Sequence, residues 1–413
     1  MPPPTNHPEP QQSTSYAGSA FIGILGCAGL ISAADNWIAA PILPSIAAGF
    51  NVSIAQAAAI LTAYMIPYGI MQPVHGYLSE RWGRVWLLRR LLLGLALGTA
   101  GCALSRSLVV LCTFRFVTGF FAAGMIAVSL ALIGDRVPSS LRQAYVGRFM
   151  GIVFFGQGVS VGVGGLLAKF VSWRIVFLLF AVGASFTCLL LRRLPADEPS
   201  GSPQTGSQQN FRQQIQQAVS SRSGRVLYGL AFATGFLLLG IYSFTGAYLQ
   251  HGAGVQHGSA LDPLQAGAVL MFFGFACLAA GTFTGAISAA IGTKGTILVG
   301  ASLGITSATL LALTADWRVV WIAVVALGLG YILIQSTLAT LAFDVGCNGV
   351  SSALVGLGLF GGGGFSTAAG SILLARHGYH ALWIAFAAAT AILLASVVML
   401  RIDNSQNLQR ARP

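Results

Sequence analysis

Residues 76–90 read GYLSERWGRVWLLRR. Arg81, Arg84, Arg89 and Arg90 crowd in with Glu80, in a chain where charged residues make up only 8%. Soluble globular domains carry about 25%. The runs on either side are almost uncharged. Over all 413 residues, 55% are hydrophobic and the mean hydropathy is +0.77. Apolar runs of roughly 20 residues recur, each long enough to cross the ~30 Å hydrocarbon core as a helix. The expected spans are 18–40, 53–75, 86–104, 108–134, 145–168, 172–191, 226–250, 264–290, 295–314, 317–343, 351–375 and 380–400, which makes twelve. The expected fold class is all-α, a polytopic membrane protein with membrane lipid as its surroundings.

Charge placement orients the chain. Arg106, Lys169, Arg174, Arg318 and Arg376 fall on one side of the expected topology, and all other basic residues except Arg115 on the opposite side. Cytoplasmic loops carry such an excess, so both termini are expected in the cytoplasm of a cell that holds the protein in its inner membrane. The net charge of +12 is thereby accounted for without nucleic acid as a partner. Residues 1–16, Pro-rich and polar, read as a disordered tail, and 401–413 as a second tail. Between them stand a first six-helix unit at 17–191, a polar Ser/Gln-rich linker at 192–225 and a second unit at 226–400. Cys27, Cys102, Cys112, Cys188, Cys277 and Cys347 lack paired spacing and read as small buried hydrophobes. No metal site or cofactor is expected, and nothing suggests more than a monomer.

The chain also repeats itself. Gly76, Ser79 and Gly83 recur as Gly285, Ser288 and Gly292, an offset of 209. The same offset relates Gln56 to Gln265, Gly119 to Gly328, Asp135 to Asp344 and Gly147 to Gly356. Two six-helix bundles in the same orientation are expected, related by an axis normal to the membrane, with solute bound near the midplane between them.

GYLSERWGR resembles the loop between spans two and three of the major facilitator superfamily. Gly76, Glu80, Arg81, Gly83 and Arg84 match the pattern, with Glu80 in place of the usual Asp and Val85 in place of another base. The resemblance spans essentially the whole chain and implies that superfamily's fold of two parallel-repeat bundles. Together with Asp135 and Arg142 from GDRVPSSLRQ, these residues are expected to form a cytoplasmic latch. A topology signal alone would explain the arginines but not the glycine–acid–arginine spacing.

Two charges lie deep in apolar sequence, Asp35 in span one and Arg115 in span four. Each costs about 2.5–3.5 kcal/mol at a helix centre. Asp35 with Leu43 and Pro44 resembles a signature of drug:proton antiporters, and Arg115 with Gly119 and Gly124 resembles their span-four signature. The resemblance implies proton coupling at Asp35, tuned by Arg115. A permanent ion pair that only ties the two spans together is the competing reading. In span five, Ser160-Val161 stands where such antiporters often carry Gly-Pro, although Gly147, Gly156, Gly164 and Gly165 are kept. That departure bears on the direction of transport.

Polar and aromatic groups inside spans are the candidates for a solute cavity: Asn36, Trp37, Tyr64, Tyr68, Gln157, Tyr242, Phe244, Tyr248, Tyr331 and Gln335. Packing against neighbouring helices or anchoring at the interface is the alternative for each aromatic. GLGLFG at 356–361 matches a dinucleotide fingerprint without its strand or acid, and lies inside an apolar span. GTKGT at 292–296 lacks the form of a phosphate loop. The absence of any cluster of acid, His and Ser argues against an enzyme. The favoured function is proton-coupled export of a small amphipathic organic solute, with proton-coupled import of a nutrient or vitamin as the alternative.

Overall fold

The computed structural model describes residues 19–137, 139–195, 211–252, 261–314, 316–345 and 348–399. The expected tails, residues 196–210 of the linker, and Cys347 lie outside them. Among the described residues every element is helical. The first span is α1 (Ser19–Trp37), continued by α2 (Ala39–Phe50). Pro41 has no N–H for the carbonyl of Trp37, and the helix gives way at that point. The second span is α3 (Ile54–Ala57) with α4 (Ala59–Trp82), the third α5 (Arg84–Leu104). The fourth joins α6 (Leu108–Ala122) to α7 (Gly124–Arg136); α8 (Ser139–Phe170) and α9 (Trp173–Leu191) complete six.

A short helix, α10 (Phe211–Ser220), precedes the seventh span, in which α11 (Arg222–Thr234) and α12 (Gly240–Ala247) are interrupted by π turns at Gly235–Leu239 and Tyr248–Gly252. Then come α13 (Pro263–Leu313), α14 (Trp317–Val345) and α15 (Asn348–Met399). A straight helix of α13's 51 residues would be about 77 Å long. It is instead a hairpin. Gly328 of α14 lies against Phe273, while Gly330, two residues on, lies against Gly300. The reversal is at Gly292, with φ 76°. Likewise Gly240 touches both Ser366 and Phe386, and α15 turns at Gly378, φ 75°. The described helices therefore give twelve crossings.

The repeat is visible in the geometry. Gly83 (φ 86°) and Gly292 (φ 76°) make the same left-handed turn at equivalent places, 209 residues apart (292 − 83). Side chains with a Cβ rarely adopt that backbone, which is why glycine occupies both. Ser53 with Gln56 forms a capping box at one helix start, and Asp262 with Gln265 forms another. Gly119 admits the carbonyl of Tyr64, as Gly328 admits that of Phe273. Both pairs keep the same offset.

The halves meet along two seams. On one, Gly158 and Gly165 of α8 pack on Met271 and Gly267 of α13. On the other, Thr62 of α4 hydrogen-bonds Thr367 of α15 at 2.6 Å. Gln250 donates to the carbonyl of Pro41 at 2.8 Å, its own counterpart 209 residues earlier. Equivalent residues touch each other only near the axis that relates them.

Three expectations are corrected. The first span runs on past residue 40 to Phe50, because Pro41 and Pro44 bend the helix without ending it. The linker 192–225 contains α10, whose Ile215 and Ala218 pack on Leu354, Leu357 and Tyr228; that partner surface is not visible in a Gln-rich string. The seventh span starts at Arg222, not 226, where Ser221 caps it by accepting from the Gly224 N–H. The Gly361–Gly364 run neither bends nor breaks α15. It packs, with Gly362 against the carbonyl of Phe232 and Gly364 against Ile66.

Candidate functional site

Asp35 and Arg115 face each other. Arg115 Nη1 donates to Asp35 Oδ2 at 3.0 Å and to the Asp35 carbonyl at 3.1 Å. Thr99 of α5 donates to the other carboxylate oxygen at 3.2 Å. The two charged side chains are 0% and 1% exposed. Arg115 Nε and Nη2 have no hydrogen-bond acceptor. The guanidinium instead lies 4.1 Å over the ring of Tyr64, with Phe177 of α9 further off at 5.7 Å. A ring face supplies electron density where no acceptor oxygen is present. Five spans of the first half thus meet at one ion pair. In the second half, Phe244 and Val324 stand at the equivalent positions, so the charge has no counterpart there.

Between the halves, rings from both meet. Trp37, at the end of α1, packs on Tyr242 (4.6 Å between centroids), Phe273 (4.8 Å) and Tyr331 (6.3 Å). Tyr242 and Tyr331 also touch Phe273, at 4.5 and 5.7 Å. Tyr68 lies on Phe360 of the second half at 4.3 Å. All these rings except Phe360 are buried. Gln157 is buried and Gln335 half-buried, and the Oε1 atom of each has no hydrogen-bond partner.

Of the candidate cavity residues, then, Trp37, Tyr68, Tyr242 and Tyr331 line the surface between the halves. Tyr64 belongs with the ion pair. Asn36 is buried beside it in sequence. Phe244 packs within the second half against Gly370. Tyr248 caps a helix end by donating to the carbonyls of Leu311 (3.2 Å) and Thr314 (3.0 Å), and packs tilted against Tyr379 and edge-on against Trp383. Phe273 was not among the candidates, yet it sits 209 residues after Tyr64 (273 − 64), so the repeat pointed to it.

At the basic face, Arg84 pairs with Asp135, with a hydrogen bond from Nη2 at 3.1 Å. Arg81 lies over the ring of Tyr77 at 5.1 Å. Glu80 is exposed, and Gly76 has open space around it. The side chain of Arg142 is outside the described residues. Arg89 takes no part in this pairing; it donates to the carbonyls of Leu191 (3.0 Å) and Leu194 (2.7 Å) at the end of α9. At the opposite face the halves are clamped by Lys169 and Asp262, 2.8 Å apart. Slight desolvation pushes the Asp262 carboxyl up. Hydrogen bonds from Lys169 and from the Gln265 and Leu264 backbone, with the Lys169 charge, outweigh it and hold the group below the usual carboxylate range.

A sequence model of the Major Facilitator Superfamily matches residues 25–346. The niacin transporter NiaP of Acinetobacter baylyi is 26% identical over 183 residues, 43% of this chain and 41% of that protein. The multidrug resistance protein fnx1 of Schizosaccharomyces pombe is 36% identical over 153 residues, 36% of this chain and 28% of that protein. The matched stretches thus span less than half of these relatives. A crystal structure of the nucleoside transporter NupG (D323A mutant) superposes with a TM-score of 0.76 at 11% identity, covering 92% of this chain and 99% of that one. With a family model spanning most of its length and twelve crossings in two related bundles, the chain belongs to the major facilitator superfamily.

Proposed function

We propose that this transporter couples the movement of a small amphipathic organic solute to protons by alternating access, in the direction of export. The observation that carries the reading is the Asp35–Arg115 pair, closed off in the apolar interior of one half. Among the described residues Asp35 is the acid set deep within a span; the others stand at helix ends. A charge in that position is expensive and usually functional. The aromatic surface around Trp37 and Phe273 suits a largely apolar solute with few polar groups. Similarity to a multidrug resistance protein supports export. The proposed arrangement is a monomer in the inner membrane with both termini cytoplasmic and two six-span bundles, the second starting at Arg222. No step calls for an enzyme's chemistry.

Import of a nutrient or vitamin is the second reading. Two observations favour it: α8 runs unbroken through Ser160-Val161, without the Gly-Pro kink of the antiporters, and a niacin transporter is among the relatives. Reconstituted vesicles with an imposed pH gradient test both. A panel of planar aromatic cations, neutral aromatics and aromatic monocarboxylates, nicotinate included, would be followed in right-side-out and inside-out preparations. Asp35→Asn is expected to fold, reach the membrane and lose pH-driven accumulation. Full coupling in that variant removes Asp35 from the mechanism, and the vesicle orientation that accumulates solute decides the direction.

A further inference from the structure

We propose that Tyr64 and Tyr68 are positioning residues that carry the charge state of the Asp35–Arg115 pair to the surface between the halves. The inference rests on the proton-coupling reading and names the parts that would transmit it. Among the described residues, no hydrogen bond, ion pair or ring contact joins the pair directly to the second half. Its connection to that half runs through rings. The Arg115 guanidinium lies 4.1 Å over Tyr64. Tyr64 stacks on Tyr68, with centroids 5.5 Å apart and planes 19° from parallel. Tyr68 then meets Phe360 across the seam at 4.3 Å.

Each joint in this ladder is stiff. Tyr64 and Tyr68 are one helical turn apart and share a face of α4. The Tyr64 hydroxyl donates to the Ser32 carbonyl at 3.3 Å. Ser32 Oγ in turn donates to the Ala122 carbonyl at 3.0 Å. The backbone of Tyr64 is pressed into Gly119, one turn along from Arg115. A displacement of Arg115 has little room to dissipate before it reaches Tyr68.

The chemistry supplies the displacement. With Asp35 ionised, Arg115 is held by a carboxylate on one side and a ring on the other. Protonation of Asp35 removes the ionic partner and leaves the Asp35 carbonyl, which accepts from Nη1, and the Tyr64 face to hold the guanidinium, because Nε and Nη2 have no acceptor. The other titratable groups near the pair are the thiols of Cys102 on α5 and Cys112 on α6. The equivalent positions in the second half, Phe244, Val324, Phe273 and Cys277, hold no such ladder.

The test needs no solute. Spin labels on non-natural amino acids at Val171 and Leu313, both exposed and on different halves, report the distance between halves in lipid nanodiscs at pH 5 and pH 8. The unmodified chain is expected to shift its distance distribution between the two. Asp35→Asn is expected to abolish the shift; a shift that persists there overturns the coupling reading itself. Tyr64→Leu and Tyr68→Leu are expected to abolish it as well, while Tyr64→Phe, which keeps the ring, retains it. A pH response lost in Asp35→Asn but intact in both leucine variants overturns the ladder and leaves the coupling reading standing. Thermal melting of each variant separates misfolding from lost transmission, and Phe360→Leu, which removes the ring that Tyr68 meets across the seam, serves if either leucine variant fails to fold: it is expected to abolish the shift, and a shift retained there overturns the ladder.

Discussion

Gly119 and Gly328 hold the same office in the two halves, each receiving a carbonyl from the neighbouring span. A Cβ on Gly328 would lie 2.6 Å from the Phe273 oxygen. Overpacking of this kind typically costs about 1–3 kcal/mol. Gly119→Val and Gly328→Val are both expected to lower the melting temperature in detergent, and by similar amounts, whereas Gly229→Val, with open space around it, leaves it nearly unchanged. Arg115→Ala is a different kind of change. It strands a buried carboxylate, and breaking a buried pair from one side costs about 3–5 kcal/mol. The double variant Asp35→Asn/Arg115→Ala is expected to melt higher than Arg115→Ala alone, read by the same scan. Both charges were legible in sequence because each interrupts a long apolar run. Their third partner, Thr99, was not, since a threonine in a span gives no signal of what it bonds.

At the level of the helix, Asp262 does two things at once. It caps α13 through Gln265 and ties that helix to Lys169 of the other half. Its folded-state carboxyl lies below the ordinary value. The stabilisation it gives is therefore complete above the unfolded value of about 4 and drains away as pH falls through the folded one. Asp262→Ala is expected to raise the exchange of amide hydrogens in the first turn of α13 at pH 7, and to have a smaller effect below pH 4. A cap of this type is worth about 1 kcal/mol. Most helices could be placed from apolar runs alone. The misplaced boundaries have physical causes: prolines at 41 and 44 that bend rather than stop a helix, and α10, whose apolar face finds its partner in α15, far along the chain. The π turns at Gly235–Leu239 and Tyr248–Gly252 have no sequence pattern of their own.

For the molecule as a whole, the seams predict where motion must occur. Thr62 and Thr367 approach to 2.6 Å across the halves, within the reach of a disulfide between cysteines. Thr62→Cys/Thr367→Cys is expected to cross-link under mild oxidation and to lose transport, with recovery on reduction; neither single variant should respond. Uninterrupted transport by the cross-linked protein would show that this seam does not open. The twofold was readable from the shared offset. Which residues meet across it was not, because a repeat locates equivalent positions and says nothing of which pairs touch. Gln250 against Pro41 is the clearest case.

The ion pair in the first half is matched by phenylalanine and valine in the second. On the proposed coupling, a machine with a charged pair buried in one arm only has a thermodynamic ceiling. With one proton exchanged per turnover, 100 mV supplies about 2.3 kcal/mol and one pH unit about 1.4, enough to hold an uncharged cargo at a gradient of about 500-fold and no more. Placing a second carboxylate at Phe244 with a basic partner at Val324 would, by the same arithmetic, square that limit.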